Sequence, residues 1–152
     1  MTHLAVPKTY KLAIGGAFPR SESGRVYAVN DAKGAFVANA AKGSRKDARD
    51  AVVAARAALK GWSGATAYNR GQVLYRIAEL LEGRRAQFVD EITRLEGVSA
   101  VAANAQVDAA IDLWIWYAGW TDKHAQVVGN ANAVSGPYFN ISVLEPTGVV
   151  AV

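Results

Sequence analysis

Apolar positions along this chain change their period twice. Between residues 10 and 40 they come in short runs: Tyr10-Lys11-Leu12-Ala13-Ile14, Val26-Tyr27-Ala28-Val29 and Ala35-Phe36-Val37-Ala38-Asn39-Ala40. Turn chemistry precedes the second run at Arg20-Ser21-Glu22-Ser23-Gly24 and the third at Asn30-Asp31-Ala32-Lys33-Gly34. Strand formers in runs of this length, parted by Gly, Ser and Asn, predict a small antiparallel β meander over 10–43, behind a flexible N-terminus over 1–9. Gly15-Gly16 reads as a bulge or tight turn, since a phosphate-cradling loop needs a helix start behind it.

From Ser44 the period becomes helical and stays so to about 128. Ser44 followed by Asp47 is an acidic variant of the capping box. Ala48, Ala51, Val52, Ala55, Ala58 and Leu59 then share one stripe, with Gly61 suited to a left-handed cap and Trp62 placed in the connecting loop. A second helix is predicted over 69–95, with Leu74, Ile77, Leu81, Phe88, Ile92 and Leu95 at three- and four-residue steps, interrupted at Gly83 and Arg84. A third is predicted over 100–126. Its centre, Ile111-Asp112-Leu113-Trp114-Ile115-Trp116-Tyr117-Ala118-Gly119-Trp120, carries large side chains on nearly every side and predicts burial all round. A core helix explains these aromatics better than a ligand-stacking platform.

Past Gly129 a polar loop leads through Pro137 to a second period-two stretch: Tyr138, Phe139, Asn140, Ile141, Ser142, Val143 and Leu144. A strand this apolar after a helical array needs a partner, and addition to another chain's sheet supplies one. Residues 149–152, Val-Val-Ala-Val, read as the opening of a buried strand. Burying one aliphatic side chain is worth about 1.5–3 kcal/mol, so continued polypeptide or a second chain is expected to cover them. The fold class predicted is α+β and mainly helical: a β meander over 10–43, three long helices over 44–128, and a loop with an oligomerisation-type strand over 129–152.

Composition adjusts this picture in few places. Apolar residues make up 51% of the 152, but alanine supplies much of that, so the core is small for the figure. No window reaches the ~18 apolar residues of a membrane span, and no secretory signal is visible, so a soluble, cytoplasmic protein is expected. The chain has no cysteine, which removes disulfides, thiolate zinc sites and a thiol nucleophile from these residues. Two histidines, His3 and His124, are too few for a histidine-rich metal site. A net charge of +4 raises nucleic acid as a partner. Asp47, Asp50, Glu79, Glu82, Asp90 and Glu91 are interleaved with the lysines and arginines, however, as on solvated helix faces rather than a DNA-binding stripe.

Taken in order, these pieces resemble the N-terminal segment of the NAD(P)-dependent aldehyde dehydrogenase superfamily. The resemblance rests on Ile14-Gly15-Gly16 with Ser23-Gly24-Arg25, and on Val29-Asn30 to Gly34. It continues through Ser44-Arg45-Lys46-Asp47-Ala48, Ala51-Val52, Ala54-Ala55-Arg56-Ala57, Trp62, Arg70, Leu74, Ile77-Ala78 and Leu80-Leu81-Glu82. It ends on Tyr117-Ala118-Gly119-Trp120, Asp122-Lys123 and Glu145-Pro146-Thr147-Gly148-Val149-Val150. Departures at Asn30-Asp31, Gly97-Val98 and Gln106 point to a divergent subgroup. The resemblance implies that the Pro-Trp-Asn oxyanion element, the nucleotide-binding domain, the general-base glutamate and the cysteine nucleophile belong to segments following Val152. The chain is thus expected to be truncated at the start of the cofactor-binding domain. No catalytic, cofactor-binding or metal residue is assigned within it, and NAD or NADP serves the complete enzyme. The helices would flank the cofactor domain, the third would border the substrate tunnel, and residues 138–144 would join an oligomerisation sheet. The expected partners are a second copy or the remainder of an aldehyde dehydrogenase, with neither nucleic acid nor membrane. The alternative is a stand-alone oligomerisation module derived from that family.

Overall fold

Short polar side chains and glycines decide where the elements of this chain begin and end. The computed structural model describes residues 8–152. Strands β1 (Thr9–Tyr10), β2 (Val26–Asn30) and β3 (Phe36–Ala41) are followed by helices α1 (Arg45–Gly64), α2 (Ala67–Gly83), α3 (Arg85–Glu96), α4 (Ala100–Trp120) and α5 (His124–Val128). A hairpin of β4 (Asn130–Asn132) and β5 (Asn140–Ser142) comes last. The mainly helical α+β class expected from the sequence is what the chain adopts. Of the expected flexible stretch 1–9, residues 1–7 with His3 lie outside the described residues, and Thr9 belongs to β1.

The N-terminal sheet is mixed rather than an antiparallel meander, with order β1-β3-β2. β2 and β3 form the expected antiparallel pair, from Val26 opposite Ala41 to Asn30 opposite Phe36, with an irregularity between Val29 and Asn30. Their turn is built by Asp31, whose carboxylate accepts from the N–H of Lys33 at 2.9 Å and of Ala35 at 2.8 Å. Of the first predicted run only Tyr10 joins the sheet, together with the preceding Thr9, and both pair parallel to β3. The rest turns away because Ile14 and Ala17 exchange two 3.0 Å backbone bonds across Gly15-Gly16. Both glycines have positive φ, 59° and 78°, as a tight two-residue turn requires.

Side-chain caps start three of the helices. Ser44 accepts from the Asp47 N–H at 3.2 Å while Asp47 accepts from the Ser44 N–H at 2.8 Å, completing the predicted box. Thr66 caps α2 through Asn69 N–H at 3.2 Å, and Ser99 caps α4 through Ala102 N–H at 3.2 Å. Gly61 does not end α1, and Trp62 sits on the helix rather than in a loop. The chain continues helically to Gly64 because an Arg70 guanidinium N–H from α2 donates to the carbonyls of Ser63 and Ala65. Those carbonyls are satisfied from outside the helix, so no glycine cap is needed.

The predicted helix over 69–95 is two helices. Arg84 leaves helical geometry (φ −114°, ψ 13°), and this break lets both halves face α4. From α2 come Ala78 and Leu81, and from α3 come Val89 and Ile92. With Ala103, Val107 and Ile111 of α4 they form the core. Phe88 and Leu95, predicted on the buried stripe, are exposed. α2 and α4 approach so closely that a Cβ on Gly71 would lie 2.7 Å from Thr121 Oγ1. At the far end of α3, Gly97 adopts a left-handed cap (φ 71°), where a Cβ would meet Ala32 Cβ at 2.7 Å. Ala32 also donates its N–H to the Arg94 carbonyl at 3.3 Å, tying the sheet to the helices.

Burial of the third predicted helix is one-sided. Ala103, Val107 and Ile111 are buried, while Leu113, Trp114, Ile115, Trp116 and Tyr117 are exposed. That helix also stops at Trp120, and α5 begins only after a turn.

Candidate functional site

The strand predicted over 138–144 narrows in the structure to β5, three residues long. It pairs with β4, a segment that reads in the sequence as loop. Asparagines are poor strand formers, which hid Asn130-Ala131-Asn132; here a side-chain bond compensates, with Asn132 Nδ2 donating to Asn140 Oδ1 at 2.9 Å and to Ser142 Oγ at 3.0 Å. Among the described residues this sheet has two strands, so β5 keeps one edge open. Tyr138 is 75% exposed, Phe139 86% and Ile141 53%, and Val143 and Leu144 are exposed as well. Asn140 and Ser142 are paired with β4, whereas Tyr138, Phe139, Val143 and Leu144 flank the strand outside the ladder.

The turn after α4 packs near this hairpin. Together with Arg70 they line a cavity of about 440 Å³ that also contains Asp122, His124, Ile141 and Leu144. His124 opens α5, and its neighbours in this cavity are mixed in polarity. On α4 itself, Trp116 meets Tyr117 edge-on at 4.9 Å and leans against Trp120 at 5.4 Å. These aromatics and the hairpin residues leave the C-terminal half with many large apolar side chains exposed.

A second apolar surface lies along α1. Ala48, Ala51, Val52, Ala55 and Leu59, the predicted stripe, line a groove of about 770 Å³ whose other wall is residues 147–151. That segment is not a strand as expected, since no described strand runs beside it to supply a ladder. Among the described residues no group of three His, Asp or Glu could hold a metal ion, and no helix is long and apolar enough to cross a membrane.

Two charged clusters hold the scaffold. The buried Asp47 carboxylate accepts from Ser21 Oγ at 2.6 Å, Ser44 N–H at 2.8 Å and Glu22 N–H at 3.1 Å. The Ser21 hydroxyl first, and then the N–H groups of Ser44 and Glu22, hold its pKa down at about 2. Sequence spacing marks the Ser44 contact; the Ser21 contact spans 26 residues and has no local signal. Elsewhere Arg85 bonds Glu82 at 2.6 Å and Asp108 at 2.5 Å, joining α2, α3 and α4. Arg85 pushes the Glu82 carboxyl below its usual range.

Comparison with known proteins shows the family of the chain. The sequence profile of the aldehyde dehydrogenase family matches residues 18–152. The chain is 31% identical over 147 residues to a mitochondrial benzaldehyde dehydrogenase of Antirrhinum majus, covering 91% of this chain and 26% of that protein. It is 34% identical over 148 residues to human retinal dehydrogenase 2, covering 93% of this chain and 28% of that protein. An aldehyde dehydrogenase structure from Bacillus cereus superposes with a TM-score of 0.82 at 25% identity, over 88% of this chain and 28% of that one. An NAD-dependent benzaldehyde dehydrogenase from Corynebacterium glutamicum superposes with a TM-score of 0.77 at 26% identity, over 84% and 28%. The chain thus spans roughly a quarter of the length of these relatives. Profile, sequence identity and superposition agree, and the chain belongs to the aldehyde dehydrogenase family.

Proposed function

We propose that these residues are the N-terminal portion of an NAD(P)-dependent aldehyde dehydrogenase and supply its scaffold and subunit contacts. The complete enzyme oxidises an aldehyde to a carboxylic acid. That chemistry needs a thiolate to attack the carbonyl, donors for the resulting oxyanion and a nicotinamide to accept hydride. A cysteine is not among the 152 residues, so the attacking group comes from elsewhere in the enzyme. The observation that carries the assembly role is the open edge of β5 among exposed apolar neighbours. Residues Tyr138, Phe139, Asn140, Ile141, Ser142, Val143 and Leu144 extend a partner's sheet, a second copy of the enzyme being the partner. Its working compartment is the cytoplasm; several relatives are named mitochondrial, so imaging of the tagged protein tests this placement.

The purified chain alone is expected to reduce neither NAD nor NADP with any of a panel of aldehydes. The same residues joined to a nucleotide-binding domain and cysteine of the family are expected to restore turnover, followed by reduced-nicotinamide absorbance. Turnover by the chain alone, or none in the joined protein when it is folded and binds cofactor, overturns the proposal.

A further inference from the structure

We propose that the mouth of the N-terminal sheet is a binding site for a small, multiply charged phosphate, either a pyrophosphate or a phosphate monoester. The pocket there, about 190 Å³, is lined by Lys11, Arg20 and Arg25 together with the polar Thr9, Tyr10 and Ser21, and by no acidic residue.

Three separate pieces of chain bring these cations together. The Leu12 N–H donates to the Pro19 carbonyl at 3.0 Å, folding the glycine turn back so that Lys11 and Arg20 line the same pocket. The Gly24 N–H donates to the Ser21 carbonyl at 2.9 Å, a turn at φ 65° that returns Arg25 to the same place. The Lys42 N–H donates to the Arg25 carbonyl at 2.9 Å and sets a fourth basic residue beside it. Lys8 adds a fifth, its Nζ lying 4.7 Å from the ring centre of Tyr10, which lines the pocket.

No carboxylate lines the pocket itself, although the ionised Asp47 sits one hydrogen bond behind it through Ser21. Asp47 and Glu22 bond neutral donors, Asp47 the Ser21 hydroxyl and the Ser44 and Glu22 N–H groups, and Glu22 the Ser44 hydroxyl at 3.2 Å; neither forms an ion pair with the cations of the pocket. The ion pairs among the described residues join Arg49, Arg76 and Arg85 to their acids and use none of the five. Residues 1–7, Met-Thr-His-Leu-Ala-Val-Pro, contain no acid. Two arginines and a lysine lining one small volume, with hydroxyl-bearing residues alongside, suit the several oxygens of a phosphate. A nucleic-acid strand would instead need a basic stripe, and α1 beyond the pocket alternates in sign through Asp47, Arg49 and Asp50.

Titration calorimetry of the chain with inorganic pyrophosphate, at low and at physiological salt, tests the site. One saturable site is expected, weakening as salt rises. The Lys11→Ala, Arg20→Ala double variant is expected to bind about tenfold more weakly, through loss of charge-assisted hydrogen bonds. Arg20→Lys keeps the charge but loses the planar fork, so it should fall between the parent and the double variant. Arg49→Ala, which alters a cation outside the pocket, should bind as the parent does. Melting curves confirm that each variant is folded. Absence of saturation at low salt overturns the proposal, as does equal loss in Arg49→Ala. Binding of a single-stranded oligonucleotide more tightly than pyrophosphate overturns it in favour of a polyanion surface.

Discussion

The two ends of this chain satisfy their groups in opposite ways. Around Ser21, Glu22, Ser44 and Asp47 every partner comes from inside the chain, and the buried carboxylate has three donors of its own. Between Leu113 and Leu144 large apolar side chains and a strand edge face outward. The first end is held by hydrogen bonds that the chain itself supplies. The second is shaped by helix packing on one side alone, and its other side is the surface proposed for subunit contact.

The comparison predicts a steep order of sensitivities. Ala103, 0% exposed where α4 crosses the core, should be the most intolerant position. Ala103→Asp strands a charge there and is expected to cost about 3–5 kcal/mol, seen as loss of the cooperative circular-dichroism melt. Gly71→Ala sets two effects against each other. Alanine gains about 1 kcal/mol of helix propensity, but its Cβ meets Thr121 Oγ1 and sits 3.2 Å from the Ala118 carbonyl. Crowding backbone against backbone costs about 1–3 kcal/mol, so net destabilisation is expected, eased when Thr121→Ala is combined with it. A double-mutant cycle of melts measures that easing.

At the closed end, Ser44→Ala removes a cap and should cost about 0.5–2 kcal/mol in a urea titration. Asp47 adds an acid dependence there. Its folded pKa lies below the ordinary 3.8, so its stabilisation is fully present above that value and fades as pH falls from 3.8 towards about 2. Asp47→Asn should flatten stability across this acid window. At the open end Ile141→Lys should change stability by about 0.5 kcal/mol or less, because the residue is exposed. Its effect should fall on assembly: light scattering should show a smaller mass at equal concentration. An unchanged mass in a variant that melts normally would remove 138–144 from the contact surface.

What the sequence reveals here is what neighbours in the chain decide. The Ser44–Asp47 box and the Gly15-Gly16 turn depend on residues one to three positions apart, and both form as their spacing predicts. Contacts between distant segments overrule local signals elsewhere. Arg70 carries α1 past Gly61, and the demand of α4 for two packing partners breaks the long helix at Arg84. The parallel pairing of β1 with β3 joins residues about thirty apart, a distance over which periodicity carries no information. In the candidate surface, the apolar alternation of 138–144 is plain in the sequence. Its short ladder with β4 is not, since Asn130 and Asn132 hide a strand behind turn-forming side chains.

A core built around Ala78, Val89, Ala103, Val107 and Ile111 has a thermal consequence. Alanine at the helix crossings brings backbones together but removes little hydrocarbon from water. Unfolding should therefore raise the heat capacity by less than the usual ~12–15 cal/mol/K per residue. With so shallow a curvature, the stability of these residues should change little across ordinary temperatures, and cold should weaken them less than it weakens a leucine-rich bundle of equal length.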